Sequence, residues 1–129
     1  MDIDINNARI LIVDDYITML RITSNLLKQL GFANIDEATD GETALIKLNQ
    51  QRFDLIISDW NMEPMSGLEL LVAIRSNAEL MSIPFIMVTA ESKTENVIAA
   101  KQAGVTNYIV KPFNTAILKS KLISVFGEF

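Results

Sequence analysis

The chain has 129 residues, a net charge of −5 at pH 7, no cysteine and no histidine. Its length suits one domain, residues 1–129. Because neither cysteine nor histidine is present, any metal must be bound by oxygen ligands, which favours Mg²⁺, Ca²⁺ or Mn²⁺. The net negative charge argues against a nucleic-acid partner. No apolar stretch is long enough for a membrane span, and the first residues do not form a secretion signal, so we expect a cytoplasmic protein.

Five short apolar runs predict β-strands, at residues 8–15, 34–38, 53–59, 84–90 and 107–112. Three of them are almost continuous in Ile, Leu, Val, Phe or Met, which is typical of parallel strands covered on both faces. The run at 34–38, NIDEA, is more polar, as expected for a strand at the edge of a sheet.

Each run is followed by an amphipathic segment with the signals of a helix, including segments at 16–30 and 115–126. Asp, Asn or Ser before such a segment predicts a capped helix start, and glycine after it predicts a left-handed end. The predicted caps are Asp40, Ser66 with Glu69, Ser92 with Glu95, and Asn114, and the predicted stops are Gly31 and Gly104.

The resulting order, βαβαβαβαβα, predicts an α/β fold with a doubly wound, five-stranded parallel sheet flanked by five helices. Each crossover between parallel strands is right-handed and needs a helix that covers the sheet. Ligands of such folds bind at the carboxyl ends of the strands.

Four of the five strands end in residues that can bind a cation or an anionic oxygen. Asp14 and Asp15 end the first strand, Asp59 the third, Thr89 the fourth and Lys111 the fifth. One such residue alone is more often a helix cap or a turn former, but the joint pattern at one sheet edge is not easily explained that way. If the first and third strands are neighbours, about 4.8 Å apart, three carboxylates share a small volume, and a divalent cation relieves their repulsion.

This set of residues suits phosphoryl transfer. Mg²⁺ accepts one or two carboxylates and keeps positions for a phosphoryl oxygen, while lysine and threonine can bind other phosphoryl oxygens. A carboxylate beside the ion can attack phosphorus. We therefore predict that Asp59 is phosphorylated, and that Trp60, which alternation turns away from the carboxylates, reports optically on the site.

These residues resemble the response-regulator receiver domains of two-component signalling, most of all the single-domain regulators of chemotaxis. The resemblance covers essentially the whole chain and rests on LIVDD (11–15), SDWNM (58–62), SGLELL (66–71), VTAES (88–92) and AGVTNYIVKPF (103–113). It implies a flavodoxin-like sheet with strand order 2-1-3-4-5.

The resemblance also implies roles for individual residues. Asp59 would accept the phosphoryl group of a phosphohistidine on a partner histidine kinase. The implied magnesium ligands are the carboxylates of Asp15 and Asp59, Asp14 through water, and the backbone carbonyl of Asn61. The other implied roles are phosphoryl contact by Lys111, whose bond to Pro112 is typically cis, a switch pair of Thr89 and Tyr108, and tuning of aspartyl-phosphate hydrolysis by Asn61 and Glu91.

The chain departs from the family pattern after the third strand. The family loop reads M-P-x-M-D-G, whereas this chain reads MEPMSG, with Glu63 at the place of the proline and Pro64 one residue later. Ser66 replaces the usual acid but caps a helix equally well. Tyr16 follows the double acid.

We expect a phosphorylation-switched binding module and not an enzyme. No effector domain follows the last helix, so we expect the output to come from protein–protein contact. The family implies an output surface at about 92–126, a flagellar motor switch protein as target and a phosphatase as a further partner. A receiver that shuttles phosphate or regulates a kinase is the alternative within signalling.

Two other classes fit less well. A magnesium-dependent aspartyl phosphatase usually has a second acid two residues after the nucleophile, where this chain has Asn61. A flavin-binding protein needs a phosphate loop rich in Ser, Thr or Gly after the first strand, where this chain has DDYITM.

Overall fold

The computed structural model describes residues 5–90 and 94–129. Within these ranges, strands and helices alternate in the predicted order. The strands are β1 (Arg9–Val13), β2 (Asn34–Ala38), β3 (Leu55–Asp59), β4 (Phe85–Thr89) and β5 (Asn107–Val110). The helices are α1 (Ile17–Gln29), α2 (Gly41–Gln50), α3 (Gly67–Arg75), α4 (Thr94–Gln102) and α5 (Thr115–Phe126).

The strands form one parallel sheet in the order β2-β1-β3-β4-β5, which confirms the expected 2-1-3-4-5 topology. The polar strand β2 lies at an edge, as its sequence predicted. The central strands β3 and β4 are buried along their whole length. The carboxylate of Asp59, at the end of β3, therefore lies where the most deeply buried part of the sheet ends.

Two apolar cores cover the two faces of the sheet. Helices α1 and α5 pack on one face, with Leu20, Leu27 and Leu118 against Ile12 and Ile57. Helices α2 and α3 pack on the other, where their buried side chains are Ala44, Leu48, Leu70, Leu71 and Ile74. Successive residues of each strand point into opposite cores. The pairing of the strands therefore shows to which face each residue at a strand end points.

Most of the predicted helix boundaries are confirmed. The side chains of Asp40 and Asn114 accept hydrogen bonds from backbone N–H groups at the starts of α2 and α5, and Ser66 and Glu69 form the capping box of α3. Gly31 and Gly104 follow their helices with φ of 105° and 94°. The predicted cap Ser92 lies outside the described residues.

The strand ends differ slightly from the prediction. Strand β1 ends at Val13 and β5 at Val110, so Asp14, Asp15 and Lys111 begin the loops that follow. Asp14 still donates its backbone N–H to the carbonyl of Ala38, which keeps it against the sheet. The peptide bond between Lys111 and Pro112 is cis, as the resemblance implied, and the bond between Glu63 and Pro64 is cis as well.

None of the helices in residues 5–90 and 94–129 combines the length and apolar character that a membrane crossing requires.

Candidate functional site

The register of the sheet brings the first and third strand ends together. Val13 pairs with Ser58, so Asp14 lies opposite Asp59 on the neighbouring strand. Paired residues of parallel strands point to the same face. The two carboxylates therefore leave the sheet on the same side, as the order of the strands requires.

The three predicted acids do converge. One carboxylate oxygen from each of Asp14, Asp15 and Asp59 lies within 4.8 Å of the other two, and among the described residues no other group of three acidic side chains is this compact. Asp14 and Asp59 are each only 7% exposed, whereas Asp15 is exposed to solvent. Two buried acids and one exposed acid therefore form an acidic cluster that is open to solvent at Asp15.

Lys111 places a positive charge beside this acidic cluster. Its Nζ lies 2.9 Å from Oδ1 of Asp59 and 3.6 Å from Oδ2 of Asp14. Ile109 pairs with Val88, and Val88 pairs with Asp59, so Lys111, two residues after Ile109, emerges on the same face as Asp59. The register thus explains a contact between residues that are 52 positions apart.

Burial favours the neutral, protonated form of the Asp14 carboxyl group. Desolvation, the largest influence, raises the pKa of its carboxyl above the usual value, and the charges of Asp59 and Asp15 act in the same direction. The backbone N–H of Tyr16, which donates to Oδ1 of Asp14 over 2.9 Å, and the ammonium of Lys111 oppose the rise. These two effects do not cancel the rise, so the carboxyl group of Asp14 holds its proton more tightly than an ordinary aspartate does.

The oxygen donors present fit a hard divalent cation. Mg²⁺ takes oxygen ligands, commonly one or two carboxylates together with waters, and a compact cluster of carboxylates supplies such ligands. Asn61 is exposed and lines a cleft of about 340 Å³ together with Asp15, Trp60 and Glu63. Asn61, whose carbonyl is the implied ligand, and the unexpected Glu63 therefore both line a cleft beside Asp15 of the acidic cluster. Glu91, the other implied hydrolysis-tuning residue, lies outside the described residues.

Thr89 lies at the same edge of the sheet but belongs to the other face. It ends β4 and is 2% exposed, and its backbone carbonyl accepts a hydrogen bond of 2.7 Å from the N–H of Lys111. Met87 pairs with Tyr108, so Thr89, two residues after Met87, shares a face with Tyr108 and not with Asp59. The structure thus groups Thr89 with its predicted switch partner.

Trp60 also lies on the face away from the acids, as alternation predicted. It is half-buried against the core beneath α2 and α3, and its ring meets that of Tyr108 edge to face, with 6.4 Å between centroids. An edge-to-face aromatic pair at this distance is favourable. A change in the position of Tyr108 would therefore alter the surroundings of the indole.

Gly67 was not recognised from the sequence as a site residue. A Cβ at this position would lie 2.2 Å from the backbone oxygen of Asp59 and 2.9 Å from Cα of Trp60. Its N–H donates to the carbonyl of Trp60 over 2.8 Å. The glycine thus allows α3 to begin directly against the backbone of the central aspartate. The signal in the sequence was a glycine at the first position of a helix, where alanine is the stronger helix former.

The sequence profile of the response regulator receiver domain family matches residues 10–123. The chemotaxis protein CheY-3 of Vibrio cholerae is 54% identical over 120 residues, which are 93% of this chain and 92% of that protein. The chemotaxis protein CheY of Pseudomonas aeruginosa is 51% identical over 118 residues, which are 92% of this chain and 95% of that protein.

Solved structures agree with the sequence relatives. The Vibrio cholerae chemotaxis protein CheY4 superposes with a TM-score of 0.86 at 38% identity and covers 92% of this chain and 98% of its own. The receiver domain of a Pseudomonas aeruginosa sensor histidine kinase, solved with a magnesium ion in its active site cleft, has a TM-score of 0.84 at 27% identity and covers 94% and 98%. The family match over residues 10–123 and these relatives show that the chain belongs to the response regulator receiver domain family, and it is a CheY-like response regulator.

Proposed function

We propose that Asp59 accepts a phosphoryl group from a phosphohistidine of a histidine kinase, with Mg²⁺ bound by Asp14, Asp15, Asp59 and the backbone carbonyl of Asn61. We further propose that the phosphorylated protein signals in the cytoplasm by binding a flagellar motor switch protein. The observation that carries the first proposal is the position of Asp59, a buried carboxylate that lies 2.9 Å from the ammonium of Lys111 and within 4.8 Å of a carboxylate oxygen of each of two further acids.

The contacts of Asp59 suit an in-line transfer. One of its oxygens attacks phosphorus, a P–O bond forms, the P–N bond of the phosphohistidine breaks, and the departing imidazole nitrogen takes up a proton. Lys111, which lies 2.9 Å from Oδ1 of Asp59, then contacts the new phosphoryl group as a compact positive charge. Hydrolysis of the aspartyl phosphate with one water returns the carboxylate and inorganic phosphate.

The magnesium proposal rests on the oxygen donors and on a relative. A bound divalent cation neutralises the charge of the phosphoryl group and of the acids that surround it. The similar receiver domain with magnesium in its active site cleft supports the same ion here. In this chain, Asp15 and Asn61 line the open side of the site, where a donor can approach.

We propose that Thr89 and Tyr108, which share the face opposite to that of Asp59, act as the switch. The hydroxyl of Thr89 is proposed to turn toward the phosphoryl group, which vacates space for Tyr108 on its own face. Such a change is a shift between two populations, and it is driven by the better bonding of Thr89 in the phosphorylated state. Tyr108 lines a groove with Val97 and Lys101 of α4, so its movement would reach the surface of the domain.

The proposed output surface, at about 92–126, carries exposed apolar side chains. Ile98 of α4, Val110 of β5 and Ile117 of α5 are 48%, 40% and 43% exposed. Exposed apolar side chains on these three elements are compatible with a protein interface. The chemotaxis proteins among the relatives support a motor switch protein as the target, and we propose a phosphatase as a further partner.

Phosphorylation can be tested by incubating the protein with Mg²⁺ and acetyl phosphate. Intact-mass analysis should find one phosphoryl group, and Trp60 fluorescence should change at the same time. Asp59→Asn should abolish the label, whereas Asp54→Asn, just before the start of the same strand, should retain it. A label that survives in Asp59→Asn would refute the assignment of the phosphoacceptor.

The output can be tested by binding a peptide of the motor switch protein to protein loaded with beryllofluoride, a phosphoryl mimic. Ile98→Ser should weaken binding of the loaded protein without changing phosphorylation. Ile46→Ser, an equally exposed apolar residue on α2, is the matched control. Tight binding of a kinase or a histidine phosphotransfer domain, with none of the switch peptide, would favour a shuttle, and steady turnover of unrelated phosphomonoesters would favour a phosphatase.

A further inference from the structure

Gly41, the first residue of α2, is a glycine whose backbone does not require one. It is buried, it lies in a regular helix, and it is not among the glycines with positive φ. Alanine would form this helix more readily. The reason for glycine must therefore be the space that a side chain would occupy.

Met65 fills that space. A Cβ on Gly41 would lie 2.6 Å from Sδ of Met65 and 3.1 Å from its Cβ and Cγ. The methionine is half-buried and packs against the core beneath α2 and α3. Its thioether end could turn aside, but its Cβ is fixed to the backbone, so a methyl group on Gly41 would push on the loop that carries Met65.

That loop, residues 60–66, connects Asp59 to α3 and includes Asn61. Its two ends are held by backbone hydrogen bonds, since the N–H groups of Met62 and Gly67 both donate to the carbonyl of Trp60, over 3.1 and 2.8 Å. The part between them is held by packing, with Met62 buried and Met65 against Gly41. The placement of Asn61 beside Asp15 therefore depends on the hydrogen bond that closes its turn and, through residues 62–64, on how Met65 packs against α2.

We propose that the contact of Met65 with Gly41 positions the β3–α3 loop and thereby sets the affinity of the site for magnesium. The inference rests on the proposed magnesium site and identifies two positioning residues that touch neither the ion nor the phosphoryl group. Mg²⁺ requires nearly ideal octahedral geometry at about 2.1 Å, so a loop displaced by a few tenths of an ångström binds it less well. Supporting residues outside the ligand set commonly have this effect.

A double-mutant cycle tests the contact. Magnesium affinity is measured from Trp60 fluorescence, and stability from urea unfolding, for the wild type, Gly41→Ala, Met65→Ala and the double variant. Gly41→Ala should weaken magnesium binding about tenfold. The double variant should bind magnesium more tightly than Gly41→Ala does, because the shorter side chain makes room for the new methyl group. Such coupling is the signature of a direct contact.

Ala44→Gly is the control for general weakening of α2. It lies one turn further along the helix, is buried, and should lower stability without changing magnesium affinity. Wild-type affinity in Gly41→Ala, or additive effects in the double variant, would overturn the inference while leaving the magnesium site intact. An absence of magnesium binding in the wild type would instead refute the site, and the inference with it.

Discussion

The ammonium nitrogen of Lys111 and Oδ1 of Asp59 are 2.9 Å apart, at the ends of strands that are separated in the sheet by β4. The lysine also lies 3.6 Å from Asp14, so a single positive charge serves two buried carboxylates. In the metal-free protein this lysine compensates part of the charge that magnesium would otherwise neutralise. The lysine and a bound magnesium ion would therefore have overlapping electrostatic roles.

Lys111→Met should destabilise the metal-free protein and increase its response to magnesium. The variant leaves two buried carboxylates without their cation, and we expect a loss of about 2 kcal/mol, less than for a fully enclosed pair because the lysine side chain is 22% exposed. Magnesium should bind the variant more tightly than the wild type, since a competing positive charge is gone. Urea unfolding with EDTA and with magnesium measures both effects.

Lys47→Met is the matched control for this variant. Lys47 forms an ion pair of 2.8 Å with Asp36, but this pair lies on the surface at the β2 edge. Its loss should cost less than about 1 kcal/mol and leave magnesium affinity unchanged. Equal magnesium affinity in Lys111→Met and the wild type would contradict the competition between lysine and ion.

Asp14→Asn should stabilise the metal-free protein at neutral pH. Burial raises the pKa of Asp14 in the folded protein, so its contribution to stability is fully present below the ordinary value of 3.8 and is lost as the pH rises through the folded pKa. The stability difference between variant and wild type should therefore be small in acid and grow toward neutral pH. Unfolding in EDTA across this pH range is the measurement.

Asp36→Asn should show the opposite pH dependence. Burial tends to raise the pKa of Asp36, but the hydrogen bonds from Lys47 and from the N–H of Glu37 outweigh it, and the pKa is lowered. Its contribution is present above the ordinary pKa of 3.8 and is lost as the pH falls through the folded value. The variant should thus be less stable than the wild type at neutral pH and similar in strong acid. The same trend in both variants would argue against a special environment at Asp14.

Ser66→Ala should remove the start signal of α3. The side-chain oxygen of Ser66 accepts the N–H of Glu69, and the Glu69 carboxylate accepts the N–H of Ser66, each over 3.1 Å. Loss of such a cap costs about 1 kcal/mol. Ser66→Asp should retain wild-type stability in urea unfolding, because aspartate caps a helix as well as serine does. Equal losses in both variants would show that the cap is not the source of the effect.

Glu63→Gln should change the preference among small phosphodonors. Glu63 and Asp15 line the same cleft beside the acidic cluster, so an anionic donor meets two carboxylates as it approaches. We expect labelling by acetyl phosphate to accelerate about threefold in low salt, and labelling by phosphoramidate, which carries less net negative charge near neutral pH, to change less. Rates of Trp60 fluorescence change measure both reactions.

Glu79→Gln removes the same charge from the loop before β4, at the opposite edge of the sheet, and should leave both rates unchanged. Raising the ionic strength should reduce the advantage of Glu63→Gln, because salt screens charges at an exposed cleft. An equal acceleration with both donors would show that Glu63 does not discriminate by charge.

The sequence by itself determined the layers and the edge at which the site lies. Continuous apolar runs that alternate with capped helices leave few topologies, since parallel strands need right-handed, covered crossovers. The carboxyl ends of parallel strands meet at one edge, so the acids after β1 and β3 and the lysine after β5 were expected to be close. The caps at Asp40 and Asn114 followed from local chemistry alone, because a helix start requires hydrogen-bond acceptors wherever it occurs.

The tertiary structure alone decided which side chains touch. Residue pairing across strands, which no local pattern reveals, puts Lys111 on the face of Asp59 and Thr89 on that of Tyr108. Burial separates the adjacent acids Asp14 and Asp15 into one enclosed and one exposed carboxylate. The contact between Gly41 and Met65 exists only because a loop 24 positions away in the chain lies over α2. Contacts of this kind depend on the packing of segments that are distant in the chain, and so they become visible only when the segments have been brought together.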